Sequence, residues 1–381
     1  MSGFILVVPL LLSADPAVSE WSSAVAAIRA VDQFGRGHAE ATRAWPRVTE
    51  LPAERLAELL AAFDGANPLA ANWLRSAGEA IIQRDGLSQV PPAVLRDWVL
   101  ERRHDARGRQ WAYELLVRIE PQTAEQLGPR LLDDPSAELR RDVVQRLIDE
   151  ADALERGSAQ KATVAEAYRR ALRYAVERDQ VRAIADSLRR RGEAVDLPRH
   201  FGLLRHWHLI GPFDNTGGRG FAAEYPPDRA IDLAAEYPGK HGPVRWSAHT
   251  TKGDDAMIDF NQLLGEEKAV AAYAFARFTA PGKTEAELRL SSPNAVKVWL
   301  NGRPVAAFEI YHAGSQFDQY AARVRLKEGV NEVLVKVCQN EQTQSWARVW
   351  KLQLRVCDQA GAGIALQDSV VVPQPQRDES P

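Results

Sequence analysis

The chain has 381 residues, of which 45% are hydrophobic and 26% are charged, with a formal net charge of −3. This balance indicates a globular protein rather than a disordered one, and the length suits two domains of ordinary size. The slight negative charge argues against a nucleic-acid partner, which would require a basic face. Two cysteines, Cys338 and Cys357, cannot form a disulfide framework or a cysteine-rich zinc site, and we expect two unpaired, buried thiols.

Residues 1–18 have the pattern of a secretory signal peptide. The apolar run Phe4–Leu12 is followed by Ser13-Ala14-Asp15-Pro16, which is similar to a cleavage region. No Lys or Arg precedes the run, so the alternative is a buried N-terminal element of a cytoplasmic protein. The run is too short for a stable membrane span, and no longer apolar stretch follows. We therefore expect a periplasmic or secreted protein.

Residues 19–192 are predicted to be helical. Apolar residues recur at helical spacing, and turn residues such as Gly35, Pro52, Gly86 and Pro121 separate about nine short helices. The segments 67–82, 105–119 and 134–148 look alike, about thirty residues apart, which is the range of helical solenoid repeats.

The stretch from Leu132 to Arg140 resembles the second-helix entry of a HEAT-type repeat. In such repeats an Asp and an Arg connect adjacent turns through a charge-assisted hydrogen bond. A helical bundle without true repeats is the alternative. Either form would offer a surface for a protein partner.

Residues 193–360 change to short runs of alternating polarity, which predict an antiparallel β-sandwich or jelly roll. The predicted strands are Leu204–Ile210, Val270–Phe278, Ala286–Leu290, Ala295–Leu300, Val305–Phe308, Tyr320–Leu326, Glu332–Val337 and Val349–Val356. We expect Val333, Val335 and Val337 to share a core with Trp350, Leu352, Leu354 and Val356. The fold class is therefore α+β, with the α-helical domain first.

The stretch Ser291–Val305 carries the strongest local signal in this half. Val296, Val298 and Leu300 fall on one face of a strand, and Lys297 and Trp299 fall on the other. Asn301-Gly302 then predicts a type I′ hairpin turn, which requires two positive φ angles.

The motifs VKVWLNGRPV (residues 296–305) and LKEGVNEVLVKV (326–337) resemble the galactose-binding-type jelly roll that accompanies many glycoside hydrolases. The whole layout, with WHLIGPF at residues 207–213, resembles multidomain proteins of planctomycete-type bacteria, which supply no proven activity. The resemblance implies a β-sandwich and an exported protein. It implies carbohydrate binding only by association, because such sandwiches also serve as spacers and assembly modules.

Trp299 is the first candidate binding residue, because a sugar ring can stack flat on an indole, and Lys297 shares its face. The alternative is a Trp299 covered by a crossing loop. Trp246 and Tyr311 lie in predicted loops, where binding residues concentrate, but they could equally anchor those loops.

His200, His206 and His208 could converge on a metal, but no acidic ligand accompanies them, so we expect no metal centre. Asp214 and Asn215 could hold a structural calcium, although the spacing lacks a dedicated acidic loop. No other cofactor is expected, since the chain has no phosphate-binding or zinc-hydrolase motif.

These observations favour a non-catalytic exported protein that binds carbohydrate, or assembles, through its β-sandwich. The alternative is a glycan hydrolase with a site near His206, His208 and Asp214. Residues 361–381 are polar and proline-rich, and we expect a disordered tail.

Overall fold

The structure is a computed structural model that describes residues 16–364 and 366–368. The apolar run of the predicted signal peptide lies outside the described residues. Of the predicted disordered tail 361–381, residues 361–364 and 366–368 are described, and Gln367 and Asp368 pair with the strand Val270–Ala280; the rest of that prediction lies outside the described residues. The chain forms two compact units, Met1–Arg146 and Leu147–Pro381, which divide inside one helix. The predicted domain boundary at 192/193 was placed where helices change to strands, whereas these two units are defined by their compactness. The predicted boundary therefore stays a prediction.

Helices occupy the chain as far as Arg189, and three short ones follow. The helices are α1 (Pro16–Arg29), α2 (His38–Thr49), α3 (Leu56–Ala61), α4 (Pro68–Asp85), α5 (Pro92–Leu100), α6 (Ala106–Ile119), α7 (Pro121–Leu131), α8 (Ala137–Arg156), α9 (Lys161–Tyr174), α10 (Arg178–Arg189), α11 (Leu197–Phe201), α12 (Pro226–Arg229) and α13 (Phe260–Leu264). Proline is the first residue of α4, α5 and α7. At this position an N–H group would have no intrahelical acceptor, so proline, which lacks the N–H, costs no hydrogen bond. Among the described residues, no helix has both the length and the apolar character needed to cross a bilayer.

Each of the three similar segments contains the start of a helix, and these helices are α4, α6 and α8. Asn67 and Asp105 cap α4 and α6 by accepting hydrogen bonds from the N–H groups of Ala70 and Arg107. Asp134, before α8, is bound by the guanidinium of Arg109 in α6 at 2.9 and 2.5 Å, and both side chains are buried. A regular HEAT-type repeat stays a prediction.

In its described residues, the second unit contains two large antiparallel sheets and a separate two-stranded antiparallel hairpin. The strands are β1 (His206–Asp214), β2 (Glu236–Pro238), β3 (Pro243–Arg245), β4 (Ser247–Thr250), β5 (Ile258–Asp259), β6 (Val270–Ala280), β7 (Thr284–Ser291), β8 (Ala295–Leu300), β9 (Arg303–Phe308), β10 (Tyr320–Leu326), β11 (Gly329–Gln339), β12 (Lys351–Cys357) and β13 (Gln367–Asp368). The larger sheet has the order β4-β1-β6-β11-β8-β9, with β13 beside β6, and the smaller has β10-β7-β12-β5, while β2 and β3 form the hairpin. The predicted α+β class with a C-terminal antiparallel sandwich is confirmed.

The main core lies between the two sheets, and it contains the residues that alternation assigned to it. The buried side chains of the predicted set are Val296, Val298, Leu300, Val333, Val335, Val337, Trp350, Leu352, Leu354 and Val356. Asn301 and Gly302 have φ values of 51° and 76°, so the predicted two-residue turn is confirmed. Cys338 and Cys357 are free and buried, as predicted.

A second apolar cluster covers the outer face of the larger sheet. Residues 215–246, which we call the cover segment, lie over this cluster. The cover segment contains α12 and the β2–β3 hairpin. Phe221 is buried there beside Phe213, Tyr273 and Phe275 of β1 and β6. The outer face of the larger sheet is therefore partly closed by its own chain.

Candidate functional site

A continuous row of side chains crosses the outer face of the larger sheet. Residues that are directly paired in antiparallel strands share a face, so the register defines this row. Its members, which we call the outer row, are His208, Phe275, Leu334, Trp299 and Pro304, from β1, β6, β11, β8 and β9 in turn. Phe275 and Leu334 in the middle are buried, whereas His208 and Trp299 are half-buried and Pro304 is exposed.

Trp299 lies on this row as the predicted platform. Its ring packs against the second apolar cluster and keeps part of its surface open. The indole N–H has no hydrogen-bond partner within the described part of the chain. The ring is thus neither sealed under a loop nor fully exposed.

Trp246 approaches the same row from the segment before β4. Its ring meets Phe275 edge-on, with centroids 6.2 Å apart. Its indole nitrogen is buried and has no hydrogen-bond partner in the described residues. Phe275 and Trp299 lie two strands apart, about 10 Å at ordinary strand spacing, so the two tryptophans flank an apolar strip.

Lys297 and Tyr311 lie on the same side of the sheet but contact the cover segment. The Lys297 ammonium is 4.6 Å from the centre of the Phe221 ring. The Tyr311 hydroxyl accepts a hydrogen bond from the Asn215 amide at 3.2 Å, and burial raises the pKa of Tyr311 to about 12. The structure brings all four predicted site residues to one face, and two of them hold the cover segment.

A polar rim borders the outer row at its next register position. Arg277 and Glu332 are paired across β6 and β11 and form an ion pair of 2.9 Å. The Arg277 guanidinium also lies 5.2 Å from the centre of the Phe275 ring. Burial, followed by the charge of Arg277, lowers the pKa of His208, so its imidazole is neutral at pH 7. Hydrogen-bond donors and acceptors thus border the apolar strip.

A buried lysine that the sequence analysis did not single out lies under the cover segment. Lys336 of β11 is 1% exposed, and its Nζ donates to the Ala223 carbonyl at 2.6 Å and lies 2.9 Å from Oδ2 of Asp228. Tyr273 donates its hydroxyl proton to the same oxygen at 2.6 Å, and burial and this carboxylate raise the pKa of Tyr273. The sequence feature that could have indicated this buried lysine is its position in a valine-rich strand, on the face that points away from the main core.

The three histidines do not converge. His200 contacts the Ala175 carbonyl at 2.9 Å, His206 contacts the Thr250 hydroxyl at 3.0 Å, and His208 lies on the outer row. In the described ranges, no group of three or more His, Cys, Asp or Glu side chains is placed to hold a metal ion.

Asp214 has local partners. Its carboxylate accepts a hydrogen bond from the Thr216 hydroxyl at 2.7 Å and lies 3.4 Å from the Lys240 ammonium. The Thr216 hydrogen bond lowers the pKa of Asp214 despite an opposing effect of burial. The nearby ammonium would compete with a calcium ion, and the calcium prediction stays untested.

Comparisons with known proteins give distant similarities only. No family model matches the sequence, and no curated protein matches it significantly. A β-glucosidase from Kluyveromyces marxianus matches with 12% identity and a TM-score of 0.25, over 40% of this chain and 16% of that chain. A family 35 carbohydrate binding module from an environmental isolate matches with 16% identity and a TM-score of 0.20, over 28% and 76%.

An α-xylosidase of family GH31 from Xanthomonas citri matches with 10% identity and a TM-score of 0.17, over 41% of this chain and 16% of that chain. The matched regions are thus small parts of both glycosidases. At these TM-scores the likenesses carry no argument about activity, and the function has to be argued from the geometry of the site.

Proposed function

We propose that this chain is a non-catalytic binding protein whose β-sandwich binds carbohydrate on the outer row. The observation that carries the proposal is the half-open Trp299 ring, with an unpartnered indole N–H. A pyranose presents a flat C–H face that packs on an indole, while its hydroxyls need hydrogen-bonding groups at the edge of the ring. The Arg277–Glu332 ion pair and the neutral imidazole of His208 supply such groups beside the strip.

The helical unit is proposed to contact a protein partner. Trp45 and Trp73 pack edge-on, with centroids 5.5 Å apart, and line a groove of about 340 Å³ with Asn72 and Ser76. Tryptophans in such grooves are frequent centres of protein interfaces. We retain export to the periplasm or the medium as part of this proposal.

The carbohydrate proposal is tested by affinity electrophoresis of the full chain through gels that contain soluble polysaccharides. We expect at least one polysaccharide to retard the wild type, and Trp299→Ala to weaken the retardation about tenfold or more, as alanine substitution of a stacking hot spot does. Trp299→Phe keeps a ring and should lose less. The matched control is Trp346→Ala, since Trp346 is 60% exposed and lies outside the outer row.

Three results would contradict the proposal. They are no retardation by any polysaccharide, unchanged retardation of Trp299→Ala, and an equal loss in Trp346→Ala. The competing interpretation, a glycan hydrolase near His206, His208 and Asp214, is tested in the same samples by release of reducing sugar. Turnover that disappears in Asp214→Asn would replace the non-catalytic proposal.

A further inference from the structure

A cavity lies on the outer face of the smaller sheet, away from the outer row. Arg289 of β7 and Arg355 of β12 are directly paired and point away from the main core. With residues 176–178, which connect α9 to α10, and the loop 315–318, they line a cavity of about 540 Å³. A volume of this size is typical of small-molecule sites.

The charges of Arg289 and Arg355 are already matched. Arg355 donates to Asp318 through Nε at 2.6 Å, and Arg289 donates to the same carboxylate through Nη1 at 3.0 Å. Arg289 also pairs with Glu287 at 2.8 Å, and Arg355 donates to the Gly361 carbonyl at 2.8 Å. These two guanidinium groups are therefore engaged within the protein.

Arg178 differs from them. It lines the same cavity and is half-buried, and no described residue forms a hydrogen bond or ion pair with its guanidinium. Its guanidinium carbon lies 5.1 Å from the centre of the Phe317 ring. Burial, followed by the charge of Arg182, lowers the pKa of Arg178, but a guanidinium remains protonated under all ordinary conditions.

The backbone at Arg178 adds N–H donors, although Asp179 in the same first turn reduces the positive potential there. Arg178 is the first residue of α10, a helix of 12 residues, and the capping residue Glu177 makes no side-chain hydrogen bond to its first turn. The first N–H groups of a helix carry partial positive charge. The open guanidinium and this helix terminus thus line the cavity, together with Glu177 and an arginine pair whose charges are matched.

We propose that this cavity binds a small monocarboxylate through a two-point contact with Arg178. Arg178 is a cationic side chain without a direct partner in the described ranges, and its guanidinium fork fits the two oxygens of a carboxylate. Glu177 and Asp318, which line the same cavity, and Asp255, whose charge also acts on Arg178, disfavour a second negative charge on the ligand. The Phe317 ring, which also contacts the Arg355 guanidinium at 4.7 Å, lines the cavity beside the body of the ligand. The site uses residues and a sheet that the proposed carbohydrate surface does not use, so each proposal can fail without the other.

The test is isothermal titration calorimetry of the full chain with two carboxylates and their neutral counterparts. Sodium glucuronate against glucose represents a sugar acid, and sodium benzoate against benzamide represents a simple organic acid. We expect one carboxylate to bind at least about tenfold more tightly than its neutral counterpart, as charge-assisted hydrogen bonds imply. The pair that shows the difference identifies the source of the carboxylate.

Arg178→Gln should lower that affinity about tenfold or more, and Arg178→Lys, which keeps the charge but loses the fork, should lower it less. The matched control is Arg182→Gln, because Arg182 is exposed on the same helix and its loss changes the net charge equally. Melting temperatures of all variants show whether each is folded. The proposal is overturned if neither carboxylate binds, if Arg182→Gln weakens binding as much as Arg178→Gln, or if inorganic phosphate binds more tightly than both carboxylates.

Discussion

Lys336 Nζ lies 2.9 Å from Asp228 Oδ2, and the two side chains are only 1% and 7% exposed. The pair joins β11 to α12, more than a hundred residues apart in sequence, and so fixes the cover segment on the sheet. A buried charge is tolerated only when it is paired and hydrogen-bonded. The stability of the second unit should therefore depend strongly on this ion pair.

Lys336→Met should destabilise the second unit by about 3–5 kcal/mol, because it leaves Asp228 buried without its cation. Urea unfolding followed by tryptophan fluorescence measures the loss. Lys336→Met combined with Asp228→Asn should be less destabilised than Lys336→Met alone, since no uncompensated charge remains. The control is Arg245→Gln, whose ion pair with Glu236 is largely exposed and should contribute at most about 1 kcal/mol. Equal effects of Lys336→Met and the control would refute this account.

Gly78 of α4 is predicted to be irreplaceable because Trp111 of α6 packs against its backbone. A Cβ at Gly78 would lie 2.0 Å from the Trp111 ring, which is fully buried. Gly78→Ala should therefore cost about 1–3 kcal/mol or more in thermal or urea unfolding. Gly128→Ala in α7 is the control, since its Cβ would meet Val143 at an ordinary 3.8 Å. Because Pro129 follows and disfavours a helical residue with a Cβ before it, we expect little gain from helix propensity and an effect smaller than that of Gly78→Ala. A Gly78→Ala variant as stable as wild type would show that Trp111 can move.

Gly302 is required by its backbone angle rather than by lack of space. Its φ is 76°, and a Cβ built there has no atom within 4 Å. Gly302→Ala should cost about 1 kcal/mol, the penalty of the left-handed region for a side chain. Gly282→Ala, in another open turn without a positive φ, should be neutral or slightly stabilising. If both substitutions had the same effect in chemical denaturation, the turn geometry would not be the cause.

The two cysteines should not react in the folded chain. Burial raises the pKa of Cys338 to about 12 and that of Cys357 to about 11, and the thiolate is the reactive form. At pH 8, Ellman's reagent should label neither thiol quickly in native buffer and both in urea. Rapid labelling of one thiol per folded chain would contradict the burial of that residue.

Asp318 should make the second unit lose stability in acid. Burial raises its pKa, but the hydrogen bonds and charges of Arg355 and Arg289 outweigh burial, and the net pKa lies below the ordinary value. A carboxyl group with a lowered folded pKa stabilises the fold above its unfolded pKa of about 3.9, and this contribution is lost as pH falls through the folded value. Asp318→Asn should lower stability at pH 7 and reduce the further loss below about pH 4. An unchanged acid dependence in Asp318→Asn would contradict this assignment.

Much of the sandwich could be predicted because alternation is a local property. The runs Ala295–Leu300 and Tyr320–Leu326 were predicted with the bounds that the structure shows, and the other predicted strands were found with extended or shifted ends. The short strands β2 to β5 and β13 and the short helices α11, α12 and α13 were missed. Segments of two to five residues have no measurable period, and they gain their stability from the structure on which they pack.

By itself, the sequence determined the change from helix to strand, the turn at Asn301-Gly302 and the division of Val298 and Trp299 between the two faces of β8. Each depends on neighbours within a few residues. Only the tertiary structure decided that Trp299 stays partly open while Lys336, on the same outer face, is sealed. The physical reason is that residues 215–246 fold back over one part of that face, and a contact across more than a hundred residues leaves no mark on local periodicity.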